Sequence, residues 1–269
     1  MHLLFFIVVM AIAQGIAEFL PVSSSGHLLV LSNWFKFDVE ESMMLNVVLH
    51  AGTLLAIVIF YFKRLCSILL DRSRRRLIVL VIIGSVPAGV VGISLKALHL
   101  EDKLFSSPYI AALGFVITGT LLWSVFRKKE EALDAVPAEK MSCKQALLIG
   151  LAQAAAITPG ISRSGSTISC GVMVKVRKAD AAEFSFLLAI PAIGGAALLE
   201  AIDIFKDANS VSGGELLPLF VGFIVSAVVG YFSLAVLIKL LKKGRLDCFA
   251  YYLFAAALIT VVVETIKLF

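Results

Sequence analysis

Two short stretches of this chain hold most of the residues that could do chemistry. The first reads QGIAEFLPVSSSGH from Gln14 to His27, the second PGISRSGST from Pro159 to Thr167. Glu18, His27 and Arg163 are ionisable, and Gln14 and Glu18, four apart, share a helix face. Around them lie the hydroxyls of Ser23, Ser24, Ser25, Ser162, Ser164, Ser166 and Thr167, with Gly26 and Gly165 between. Hydroxyls, loop amides, helix N-termini and one arginine make an anion site, and the arginine fork suits phosphate. A carboxylate adds a base or metal ligand, a histidine a nucleophile or acid. Together these groups meet the needs of phosphoryl transfer.

Each residue also has a plainer reading. The serines could be helix caps, Gln14 a helix–helix hydrogen-bonding group, Glu18 and Arg163 a structural ion pair, and His27 a group satisfying a backbone carbonyl. His50, inside an apolar run, reads as a packing or supporting residue. The convergence of the others on two loops favours the functional reading.

The elements that position these loops follow from composition. The chain has 269 residues, 60% of them apolar and 16% charged, and its mean hydropathy is +0.98. That is too apolar for a soluble domain and excludes disorder. Four scattered cysteines give no disulfide framework or metal spacing. The net charge of +5 comes from short clusters between apolar runs, the pattern of topology signals and not of a nucleic-acid face. The partner is the lipid bilayer, with no nucleic acid.

Six apolar runs, 43–62, 77–98, 109–126, 184–202, 216–240 and 249–266, are near span length. Pro87 and Pro191 within them read as kinks. The segments 3–36 and 146–176 are different: each is a short apolar piece, a Gly/Pro/Ser loop and a second short piece, and we read them as re-entrant hairpins. They align with each other at an offset of 139, Ser23 on Ser162 and Ser25-Gly26 on Ser164-Gly165. The expected fold is therefore an all-α polytopic membrane protein, a single domain in two repeats (1–127 and 145–269) joined by a charged linker (128–144). Three spans per repeat make the topology inverted, which places the site where the broken helices meet. With the N-terminus outside, the clusters Lys63-Arg64, Arg72 to Arg76, Arg127 to Lys129, Lys175 to Lys178 and Lys239 to Arg245 all fall inside. Only Lys36, Lys96, Lys103, Lys206 and Lys267 fall outside. Both termini are then outside. The N-terminal run lacks a basic flank and leads into a repeated motif, so it is not read as a signal peptide.

The first motif resembles a signature of the undecaprenyl-diphosphate phosphatase family, also called the bacitracin-resistance family. The second motif, and Glu183 to Pro191 (EFSFLLAIP), also resemble family segments. The resemblance covers the whole chain. It implies a membrane enzyme that cleaves the terminal phosphate from undecaprenyl diphosphate, a polyprenyl lipid, and returns the monophosphate carrier to peptidoglycan synthesis. It implies dependence on Mg2+ or Ca2+. By position, Gln14 and Glu18 fall on the family's acidic motif, Ser24 on a serine proposed as nucleophile, His27 on the catalytic histidine and Arg163 on the phosphate-binding arginine. Gln14, Ser23, Ser25, Gly26, Ser162, Ser164, Gly165 and Thr167 are the expected substrate-binding residues. Glu18 is the expected metal ligand, sharing the ion with diphosphate oxygens because Gln14 brings no charge. The attacking group is Ser24, His27 or a water; we favour Ser24 with His27 as its partner. The implied location is the bacterial inner membrane, with the site facing the periplasm. A second copy of the chain is an admissible partner. The competing class is a transporter or flippase of an anionic lipid, since inverted repeats with broken helices also build transporters.

Overall fold

The structure is a computed structural model that describes residues 2–35, 39–98, 100, 107–127, 132–206 and 216–267. Those residues form eleven α-helices: α1 His2–Ala17, α2 Ser24–Phe35, α3 Val39–Phe60, α4 Phe62–Leu70, α5 Arg75–Ala97, α6 Pro108–Phe126, α7 Cys143–Ala155, α8 Arg163–Met173, α9 Lys178–Lys206, α10 Leu216–Lys242 and α11 Cys248–Ile266. Five stretches are long and apolar enough to cross a membrane, Arg72–Ala97, Pro108–Phe126, Lys178–Glu200, Leu216–Lys242 and Cys248–Ile266. A sixth is Met44–Phe60 with Phe62–Leu70 if that pair, bent by 69°, is one span. The outside is clothed in large apolar side chains such as Leu113, Leu217, Phe232 and Leu258. Lipid rather than water suits such a surface. This is a polytopic helical membrane protein.

Local chemistry sets the ends of the short helices. Ser142 and Gln145 form a reciprocal capping box at the start of α7. Ser162 caps α8 by accepting from Gly165 N at 3.1 Å, and Ser23 caps α2 by accepting from Gly26 N at 3.3 Å. These two caps occupy equivalent positions of the duplicated motif. Pro87 and Pro191 lie inside α5 and α9, which run on past them.

The halves interlock. Helix α1 packs on α10 and α7 on α5, so the first arm of each broken pair lies against a long helix of the other half. The approach is close: a Cβ on Gly150 would lie 2.3 Å from Gly84 O, and one on Gly15 would lie 3.0 Å from Gly230 N. Helices α3 and α10, and α6 and α11, complete the bundle.

The linker is tied down where it is described; residues 128–131 lie outside the described residues. Val136 bridges Val176, and Arg64 pairs with both Glu139 and Glu183. The Arg64 hydrogen bond holds the Glu139 carboxyl below its usual range.

Candidate active site

The two loops between α1 and α2 and between α7 and α8 meet against α6. Gly26 lies so close to the second loop that a Cβ there would sit 2.8 Å from Gly160 Cα and 2.7 Å from the Phe115 ring. Thr118 of α6 donates to Gly160 O at 3.2 Å and accepts from Ser162 N at 2.9 Å. Ser164 Oγ donates to Leu20 O across the loops at 3.4 Å. The left-handed backbone at Ser23 (φ 70°) and Gly160 (φ 85°) turns each chain into its second helix.

Glu18 is the hub. It is 7% exposed, and each carboxylate oxygen is engaged. Oε1 accepts from Arg163 Nη2 at 2.6 Å, so the pair joins the two halves of the chain. Oε2 accepts from Ser24 Oγ at 2.6 Å and from Gln14 Nε2 at 3.2 Å. His50 Nε2 stands 3.9 Å from the same oxygen, while its Nδ1 bonds Asn46 O at 2.8 Å. Arg163 also points Nη1 at Ser185 O of α9, 3.4 Å away. Thr167 bonds Ser185 Oγ at 2.6 Å and Arg163 O at 2.7 Å, which braces the arginine from behind.

His27 does not join this cluster. Its Nδ1 bonds Ser23 O at 2.8 Å and its Nε2 bonds the Tyr252 hydroxyl of α11 at 2.7 Å. The ring stacks on Tyr252 and packs beside Phe115. The expected Ser24–His27 pair is thus not formed: Ser24 pairs with Glu18 instead. The reason is tertiary: α11 brings Tyr252 to the outer side of α2 and satisfies the imidazole there.

The remaining expected residues line the loops. Ser25 Oγ lies 3.4 Å from Ser23 Oγ, and Ser164 Oγ lies 3.3 Å from Ser162 Oγ. Sequence reasoning missed Thr118, Ser185 and Tyr252 and undervalued His50. Ser185 does fall within the third motif, Glu183 to Pro191, which was the available signal.

The site holds oxygen atoms of the kind a divalent cation would take. Gln14 is fully buried and its Oε1 has no hydrogen-bond partner. The nitrogen of the same amide faces Glu18, and hard cations take carboxylate and amide oxygens. Among the described residues no three acidic, His or Cys side chains converge into a metal cage. The donors therefore fit a cation that brings further ligands with it, such as diphosphate oxygens and water.

Comparison with known proteins shows the family of the chain. The family model described as bacitracin resistance protein BacA matches residues 7–259. The chain belongs to this family. Among its relatives, a protein of Rhodopirellula baltica is 40% identical, covering 96% of this chain and 97% of its own. One from Desulfosudis oleivorans is 39% identical, covering 92% and 93%. One from Carboxydothermus hydrogenoformans is 35% identical, covering 95% of each. All three are named undecaprenyl-diphosphatase. As a member of the BacA family, the chain has its ionisable cluster at the contact of two broken helix pairs, within an apolar bundle.

Proposed function

We infer that this protein is an undecaprenyl-diphosphatase. It cleaves the terminal phosphate of undecaprenyl diphosphate, giving undecaprenyl phosphate and inorganic phosphate. Recycling that carrier lipid supports cell-wall synthesis and the bacitracin resistance that names the family. The observation that carries the reading is the Glu18–Ser24–Arg163 cluster, held between two helix N-termini.

The geometry supports a two-step displacement. The incoming diphosphate draws on the Arg163 guanidinium, whose fork can serve a phosphate as well as Glu18. First-turn amides of α2 and α8 add partial positive charge. Ser24 Oγ attacks the distal phosphorus and its proton passes to Glu18 Oε2, already the acceptor of that hydroxyl. The bond from that phosphorus to the bridging oxygen breaks, and undecaprenyl phosphate leaves. Water then attacks the phosphoserine; as the serine–phosphorus bond breaks, Glu18 returns to the Ser24 oxygen the proton it took in the first step, and the water's proton leaves on the departing phosphate. Glu18 and Gln14 Oε1 would hold a Mg2+ or Ca2+ ion, which when bound supplies further neutralisation of the diphosphate charge. The prenyl tail stays in lipid, in keeping with a site at membrane depth.

We place the protein in the inner membrane, with hairpins entering from opposite faces and the site open to the periplasm; the basic-residue asymmetry supports this. A single cysteine at Ala135, in a cysteine-free background, should resist a membrane-impermeant reagent in intact cells. Labelling there would reverse the orientation. For the activity, purified protein in detergent with a prenyl diphosphate and Mg2+ should release inorganic phosphate. A preparation that binds the lipid but releases none would instead make the protein a transporter.

A further inference from the structure

Past the end of the second hairpin, the bundle has a second polar feature. A cavity of about 400 Å3 lies between the start of α9 and the end of α10, lined by Arg177, Lys178, Asp180, Lys242, Lys243 and Gly244 among others. Four of those residues are cationic and one is acidic. Asp180 offsets one of these charges, and its Oδ1 accepts from the linker amide Ala138 N at 3.0 Å, so the lining keeps a net positive charge. Among the described residues, Arg177, Lys242 and Lys243 have no ion-pair partner.

Like charges gathered around one cavity repel unless an anion sits among them. The backbone at Arg177 is anchored. Val136 N–H donates to Lys175 O at 2.9 Å, and Arg177 N–H donates to Val136 O at 3.0 Å, fixing the approach to α9 on the linker. Gly244 turns the chain at the end of α10 with φ +64°, and nothing stands within 4 Å of where its Cβ would be. A side chain there would begin to fill the open space. The cavity also sits at the level of the lipid headgroups, because the spans Lys178–Glu200 and Leu216–Lys242 end at its walls.

We propose that this cavity binds the phosphate headgroup of an anionic phospholipid, its acyl chains running along the apolar faces of α9 and α10. The charge complementarity and the depth both select a lipid: basic pockets between spans at the headgroup level take anionic headgroups. The site is independent of the hairpin loops and stands whether or not the protein is a phosphatase.

The test uses the whole purified protein in a neutral detergent. Dioleoylphosphatidylglycerol, dioleoylphosphatidylcholine and inorganic phosphate are added in separate arms, and the unfolding temperature is read. Phosphatidylglycerol should raise it by about 3 °C or more, phosphatidylcholine and inorganic phosphate by much less. A variant with Arg177→Gln, Lys242→Gln and Lys243→Gln should lose that increment while unfolding normally in detergent alone. Native mass spectrometry gives a second reading: the wild type should retain phosphatidylglycerol that the variant sheds. An equal increment in the variant, or none in the wild type, overturns the proposal. An increment from inorganic phosphate as large as that from the lipid overturns the lipid assignment. If the triple variant fails to fold, the single Lys243→Gln, at an exposed position, should show a reduced increment, and an unchanged one overturns the proposal.

Discussion

Ser24 donates its hydroxyl to Glu18 Oε2 at 2.6 Å, across the turn that joins α1 to α2. The bond is short and charge-assisted, and Glu18 is buried, so the two side chains hold each other in place. The serine meets this carboxylate, its proposed base, within the first hairpin, while the second hairpin supplies the cation, Arg163, to the other carboxylate oxygen. One carboxylate thus joins Ser24, the proposed attacking group, to Arg163, the proposed phosphate-binding group.

If Glu18 and Ser24 act as one unit, their losses should not add. Ser24→Ala, Glu18→Gln and the double variant should each fall by about three orders of magnitude, to similar residual rates. His27→Ala combined with Ser24→Ala should instead lose more than either alone. Phosphate release in detergent measures all five variants. A Ser24/His27 double no worse than its worst single, beside additive Ser24/Glu18 losses, would restore histidine as the partner of the serine.

Arg163 has two duties that substitutions can separate. Arg163→Lys keeps the charge but loses the fork, and should slow turnover by about a hundredfold with the fold intact. Arg163→Met leaves Glu18 buried without its partner, which should cost about 3–5 kcal/mol of stability. Adding Glu18→Gln to that variant should recover part of the lost unfolding temperature, since the uncompensated charge is gone. Full turnover in Arg163→Lys would remove the arginine from phosphate binding.

The sequence made the helices legible because lipid leaves few options: each apolar run near span length became a helix, and the Gly/Pro/Ser loops broke the two that lie beside them. The sharp bend at Tyr61 was not legible, because no proline or glycine marks it. Nor was the early start of α9 at Lys178, whose first turns are polar. In the site, residue types announced phosphate chemistry, but partners did not follow from spacing. Ser24 and His27 are three apart on α2 and look like a pair, yet Tyr252, contributed by α11 from the far end of the chain, claims the imidazole. His50 was visible as an ionisable group at membrane depth, but only the packing of α3 against α1 brings it near Glu18.

Gly160 should not tolerate even alanine. Its φ of +85° is unfavourable for any side chain, and the new Cβ would lie 2.0 Å from Ala111 O, a backbone atom that cannot swing aside. Gly160→Ala should cost at least about 2 kcal/mol and loosen the contact between the loops. Gly89→Ala is the control: nothing lies within 4 Å of it, and inside α5 alanine should be neutral or stabilising by about 0.5–1 kcal/mol. Unfolding temperatures in detergent measure both. Equal values for the two variants would mean that the loop can shift away from α6 at no cost.

Tyr252 decides what His27 can do. Ser23 O can only accept, so Nδ1 carries the proton in that bond. The neutral imidazole then offers the Nε2 lone pair to the Tyr252 hydroxyl. For His27 to exchange a proton with substrate, that hydroxyl has to give way or pass the proton on. Tyr252→Phe keeps the ring stacked on the imidazole and removes only the hydrogen bond. The variant should fold normally and lose about five- to tenfold in kcat/KM, the scale of one hydrogen bond. His27→Ala, which also removes the ring packed beside Phe115, should lose more, and Tyr252→Phe added to it should cost nothing further. If Tyr252→Phe reduces activity equally with and without His27, the tyrosine works through some other contact and the imidazole reaches the substrate without it.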